Sequence, residues 1–256
     1  MTITAEALAG RGRFPVLRDT WLLFRHDLGA TLRQRVGLVF GATQPLLFLV
    51  LFGPIFATFG TWETLVPGLI LQLGLLSSGM AGFGVVFEKR SGVLERMRVT
   101  PASRLALLLG RVLNNAVTLI LQTLLLLAAG FAFGLRAPAT GLLAGLALVV
   151  VLGMSLAALS YAAALTMNEQ LFAPVISTVV VPLMLLSGSF LPMSMAPGWL
   201  DALSRLSPFR YVLEALRELF AGRYLTGTVG AGVAVTVVFA VVSLAVGTRV
   251  IGRVNA

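Results

Sequence analysis

The chain has 256 residues, 58% of them hydrophobic and 11% charged, with a mean hydropathy of +0.97. A soluble domain of this length has no reason to be so apolar, so the sequence is that of a polytopic membrane protein. It has no cysteine, which excludes a disulfide framework and a thiolate metal site. The net charge of +9 sits at the ends of apolar runs. It therefore reads as an orientation signal and a contact for lipid headgroups rather than as a nucleic-acid surface.

In chain order, residues 1–13 are predicted to be disordered. From 14 to 35, Leu17, Trp21, Phe24, Leu28 and Thr31 or Leu32 recur at steps of three or four, with Arg18, Asp19, Arg25 and Asp27 elsewhere around the helix. This predicts an amphipathic helix on the cytoplasmic membrane face, with Trp21 at headgroup level. It serves either as a plain anchor or as a lever on the first span. Six arginines and three acids precede any apolar run, so the first run reads as a retained span rather than a cleaved signal.

Six apolar runs follow, at 36–59, 65–87, 107–135, 139–166, 171–190 and 228–251. About 20 residues suffice to cross roughly 30 Å of hydrocarbon. Lipid offers no hydrogen-bond partners and the period is not that of a barrel, so the runs are predicted helices. The first contains Gln44-Pro45, a predicted kink. The second carries a small-residue stretch over 77–84, suited to close helix contact. The third holds Asn114, Asn115 and Gln122, which read as interhelical glue before substrate contacts. Residues 167–170 alone join the fourth and fifth runs, which are expected to be antiparallel neighbours.

Two polar segments stand out. Residues 88–101, read as EKRSGVLERMRVTP, are too polar for lipid. Val93, Leu94 and Met97 share one face of a short helix, and Thr100-Pro101 suits the start of the next. The segment is a docking element or a plain linker. Beyond the fifth run, Trp199, Leu200, Leu203 and Leu206 form an apolar stripe, Ser207-Pro208 breaks it, and Val212, Ala215, Leu216 and Leu219 form a second. Arg210, Glu214, Arg217 and Glu218 lie off that stripe. Two short amphipathic helices there suggest a cap, or hairpins dipping partway into the membrane.

These two segments resemble the signatures of ATP-binding-cassette type-2 (ABC-2) exporter permeases. Residues 88–104, EKRSGVLERMRVTPASR, are similar to the family's charged loop. Residues 186–217, LSGSFLPMSMAPGWLDALSRLSPFRYVLEALR, are similar to its second signature, with Ser-Gly, Phe-x-Pro, Pro-x-Trp-Leu and Tyr-x-x-Glu-Ala-x-Arg. The resemblance runs from Phe14 to Ile251 and looks most like the daunorubicin-resistance type of permease.

The resemblance implies an all-α domain over 36–256 with six transmembrane helices. It makes 14–35 the connecting helix and places a coupling helix within 88–98, with Glu88, Gly92, Val93, Leu94, Glu95 and Met97 meeting the ATPase. It implies re-entrant outer helices carrying Trp199, Leu203, Tyr211, Glu214 and Arg217. It implies two copies of a separate ATPase subunit that bind ATP and magnesium, and a second permease, whether a copy or a paralogue. In such a dimer the second and fifth spans line the midline. One helical face of each then forms the path: Gln72, Leu76 and Gly79 on one, and Val175, Thr178, Val179, Pro182 and Leu186 on the other. So apolar a surface suits a hydrophobic, amphipathic or lipid-like cargo, and it also suits plain packing at the dimer seam.

Other function classes fare worse. The only lysine, Lys89, follows glutamate, whereas a phosphate-cradling P-loop needs one directly after glycine. Any ATP is therefore burned by another chain. An intramembrane enzyme lacks its residues: His26 is the sole histidine, Asp19, Asp27 and Asp201 lie outside the runs, and no His-Glu-x-x-His or Gly-x-Ser-x-Gly occurs. An exporter of polysaccharide or lipid-linked glycan remains an alternative, as does a passive channel or scaffold. The span centres carry almost no ionisable groups, which disfavours an ion path. The excess of arginine over lysine fits a high-GC bacterium, and hence a plasma-membrane location.

Fourteen basic residues precede the first run, separate the second from the third, follow the sixth, or stand at the adjoining ends of the third (Arg111) and sixth (Arg249), against five in the alternate loops. The positive-inside rule then puts both termini in the cytoplasm. In the naturally cysteine-free chain, one cysteine at Ser91 and another within 191–227 should label from opposite sides of the membrane. Reaction of both with an impermeant reagent in intact cells would contradict this topology.

Overall fold

The computed structural model describes residues 15–33, 35–59, 62–90, 104–189, 193 and 196–253. The segment 1–13, expected to be disordered, lies outside the described residues. Among those described, ten helices and no strand occur: α1 (Pro15–Arg33), α2 (Arg35–Phe59), α3 (Trp62–Gly79), α4 (Phe83–Arg90), α5 (Arg104–Ala132), α6 (Ala139–Thr166), α7 (Glu169–Leu186), α8 (Gly198–Ser204), α9 (Pro208–Phe220) and α10 (Gly227–Arg253). Five stretches are long and apolar enough to cross a membrane: Trp62–Phe87, Ala106–Ala132, Ala139–Thr166, Glu169–Leu186 and Gly227–Val250. The remaining expected crossing is α2, 25 residues long, whose apolar stretch Gly41–Pro54 is shorter. The helix continues through Pro45. The fold is an all-α polytopic membrane protein, as expected.

Helix α6 is central. It packs against α3, α5, α9 and α10, because small residues on its several faces admit neighbours closely. Gly141 lies so near the Leu219 carbonyl of α9 that a Cβ there would overlap it, and Gly153 does the same against Leu119 and Ser78. Polar residues of the third run join helices as expected. Asn115 Nδ2 donates to Ser78 Oγ at 2.9 Å, and Asn114 exchanges hydrogen bonds with Thr31 of α1. That pair, with Thr20, Leu23 and Phe24 around Gly110, seats α1 on α5. Leu17 and Trp21, from the expected apolar stripe, point outward, while Thr31 turns in.

Two expectations need correction. The second run is not one helix, since a turn at 80–82 divides α3 from α4. The reason is a close approach: a Cβ at Gly82 would overlap the Ser160 carbonyl, with Phe172 and the Ser160 hydroxyl also against it. Helices α6 and α7 meet only sparsely, and α7 leans mainly on α3. A short loop fixes proximity at its own ends alone, and the small-residue faces of α6 are already occupied. The two outer stripes differ in cover. Trp199, Leu203 and Leu206 are exposed, whereas Val212, Ala215, Leu216 and Leu219 of α9 are fully enclosed.

The close approach of α6 to α9 is directly testable. Gly141→Ala should displace α9 and cost about 1–3 kcal/mol, read as a lower unfolding temperature in detergent. Gly84 has open space beside it, so Gly84→Ala should leave the temperature unchanged or raise it.

Candidate transport site

Helix α7 exposes most of its surface. Only Phe172, Val180 and Met184 are buried, on the side that faces the bundle. Val175, Thr178, Val179 and Pro182 are all exposed, and Leu186 is half-buried. They form one apolar face with Thr178 and its neighbour Ser177 as polar points. The α3 set lies elsewhere. Gln72 is 0% exposed, Leu76 is half-buried, and Gly79 is buried with Val180 at 3.0 Å from where its Cβ would stand. The two sets therefore do not share a surface within the chain, and Gly79 meets the back of α7. Sequence spacing identified the faces correctly as faces, but carried no signal about which neighbour covers each.

At one end of the bundle, α9 runs back alongside the first half of α10. Phe209 stacks edge to face on Phe239, with ring centroids 5.7 Å apart, and Gly232 abuts Ala215 and the Tyr211 carbonyl. The charged residues off the α9 stripe gather here. Arg210 bonds Asp201 at 2.6 Å and Glu214 at 2.9 Å, and Arg205 bonds Asp201 at 2.8 Å. Arg210 and Arg205 together hold the Asp201 carboxyl below its ordinary range. Tyr211 Oη donates to the Arg205 carbonyl at 3.0 Å. A cavity of about 400 Å³ opens between Asp201, Arg210, Glu214 and Arg217, with Met193 and Ala196 on its wall.

Arg217 does a different job. Its Nη2 donates to the Gly188 carbonyl at 2.9 Å and its Nε to the Thr64 carbonyl at 3.3 Å. Gly188 has φ 79°, a left-handed conformation that suits glycine and ends α7. The guanidinium thus joins three elements where α7 stops and α3 starts. Burial pulls its pKa down to about 10, opposed by Glu214, so it stays charged at neutral pH. The sequence marked Arg217 but not its carbonyl partners, which lie 29 and 153 residues away.

At the other end, Glu88 lies in α4, and Gly92, Val93, Leu94, Glu95 and Met97 fall outside the described residues. Ser160, which no sequence pattern singled out, donates to the Gly79 carbonyl and accepts from Gly82 N–H at the break between α3 and α4. Only its position on the small-residue α6 could have hinted at that role.

These features define a multi-pass helical membrane protein with a broad apolar face on α7 and a charged cavity beside α9. Residues 18–221 match the family described as ABC-2 type transporter, and the chain belongs to that family. It is similar to a protein named as transport permease ycf38 of Cyanophora paradoxa, 25% identical over 221 residues, covering 81% of this chain and 76% of that one. It is also similar to a protein named as doxorubicin resistance ABC transporter permease DrrC of Mycobacterium tuberculosis, 27% identical over 200 residues, with 74% and 72% covered. A third relative, named as daunorubicin resistance ABC transporter permease DrrB1 of Streptomyces coeruleorubidus, is 27% identical over 189 residues, with 70% and 66% covered.

Arg217→Met keeps the apolar stem and removes the donors to both carbonyls. It should cost about 1–3 kcal/mol, seen as a lower unfolding temperature. An unchanged temperature would mean that those carbonyls find partners elsewhere. The Asp201 pairs are intact at neutral pH. Their contribution should fade as pH falls through its lowered folded-state pKa, below the ordinary 3.8. Asp201→Asn should remove that acid dependence.

Proposed function

We propose that this chain is the membrane half of an ATP-driven exporter that moves a hydrophobic or amphipathic compound out of the cell by alternating access. The observation that carries the reading is the open apolar face of α7 in a chain of the ABC-2 family. Shape and dehydration would do most of the binding on such a face, with Ser177 and Thr178 for orientation. A bare sugar or ion would not recover its lost hydration there. The names of two relatives, which refer to doxorubicin and daunorubicin resistance, agree with a cargo of this kind.

In this reading, a second permease copy or paralogue faces the α7 surface. Val175, Thr178, Val179, Pro182 and Leu186 line the path, and Gln72, Leu76 and Gly79 back it. Two separate ATPase subunits bind ATP and magnesium. They engage Glu88, Gly92, Val93, Leu94, Glu95 and Met97, while Trp199, Leu203, Tyr211, Glu214 and Arg217 form the outer cap. The chain sits in a bacterial plasma membrane with both termini in the cytoplasm. ATP binding shifts the permease only through a difference in affinity for its two states.

Val179→Trp should block or re-rank transport of doxorubicin by an assembled complex. Loss of assembly would instead assign this face to a packed seam, and full transport would remove it from the path. Leu94→Asp should uncouple transport while the permease still inserts, because a well-buried side chain contributes roughly 1.5–3 kcal/mol of contact. Normal transport by that variant would remove the segment from coupling.

A further inference from the structure

Helix α4 is fastened at both ends to one place, the elbow between α6 and α7. At its start, Gly82 N–H donates to Ser160 Oγ at 2.9 Å, and that hydroxyl donates to the Gly79 carbonyl at 2.6 Å. Phe83 meets the fully buried Phe172 of α7 edge to face, with centroids 5.1 Å apart. Along its length, Val85 and Val86 are buried in one cluster with Tyr161, Ala164 and Phe172. At its far end, Lys89 Nζ donates to the carbonyls of Ala164 at 2.6 Å and Leu165 at 3.0 Å.

Those two carbonyls belong to the last turn of α6, which ends at Thr166. The final four carbonyls of a helix have no N–H ahead of them in the helix. An ammonium there satisfies acceptors and meets the negative end of the helix dipole. The chain has a single lysine, and it stands at this point. Toward α3 the connection is different. The turn at Met80–Gly82 interrupts the regular helical ladder and is held by the Ser160 hydroxyl, so it is the place between α3 and α4 where bending costs least, whereas a continuous helix resists bending.

We infer that Lys89 is a positioning residue that closes α4, the α6–α7 elbow and the first turn of α7 into one body, so that displacement of the segment following α4 is delivered to α7. The inference rests on the coupling role proposed above for residues 88–97, and it names the route by which that coupling reaches the face carrying Val175 and Val179.

The absence of cysteine allows spin labels at chosen sites. A nitroxide at Phe87, which is exposed, reports the backbone motion of α4 in the purified permease. Its spectrum should sharpen in Lys89→Met and stay unchanged in Lys89→Arg. An unchanged spectrum in Lys89→Met overturns the role of Lys89. In the complex with its ATPase, a second label reports motion by pulsed dipolar distances with ADP or a non-hydrolysable ATP analogue. The 87–175 distance should stay constant between the two, while the distance from 87 to a label at Leu124 of α5 changes. In Lys89→Met the 87–175 distribution should broaden. If the 87–175 distance shifts as much as the 87–124 distance, the single body is overturned and the coupling role survives. If neither distance responds to nucleotide, the coupling role itself fails and the inference falls with it.

Discussion

A peptide group placed in hydrocarbon has no water to turn to, so the chain must satisfy its own backbone wherever it crosses the membrane. Unbroken helices meet this demand automatically, and most of the molecule consists of them. The informative places are the helix ends and breaks. At three of them a side chain from a distant element bonds the backbone. Ser160 serves Gly79 and Gly82, Lys89 serves the end of α6, and Arg217 serves the end of α7 and the start of α3. These three contacts tie together elements that the loops alone would leave loosely related.

Between those ties, packing is governed by small residues. Gly141 and Gly153 let α6 stand close to α9 and to the α3–α5 pair, and the resulting bundle encloses Gln72 completely. Helix α7 is left with its bulky, β-branched face uncovered. A surface of that kind in a membrane meets lipid, another protein chain or an apolar solute. The bundle thus has an enclosed interior with tied helix ends, and beside it one helix that presents an uncovered face.

Much of this was legible in the sequence because hydrophobic period and run length report burial directly. The six runs found their helices, and the 212–219 stripe became the buried face of α9. The limits are equally physical. The run 65–87 is apolar throughout, so nothing in its hydropathy marked the turn at 80–82, where the Ser160 hydroxyl from another helix takes up the backbone. The period over 199–206 makes a stripe of Trp199, Leu203 and Leu206, but period defines a face without naming what covers it. The same holds for Gln72, which is enclosed within the chain. Lys89 was conspicuous as the only lysine, yet its partners lie 75 and 76 residues away and are backbone atoms, which leave no trace in composition.

The central claim is that this chain provides a moving surface for an apolar solute while the energy comes from elsewhere. The most direct measurement is doxorubicin movement across proteoliposomes holding the permease alone, or the permease with the separate ATPase subunit proposed for it. The permease alone should neither hydrolyse ATP nor pass the compound faster than empty vesicles, and adding the ATPase should make accumulation depend on ATP. Flux through the permease alone, running down the gradient without ATP, would contradict the claim and identify a passive channel instead.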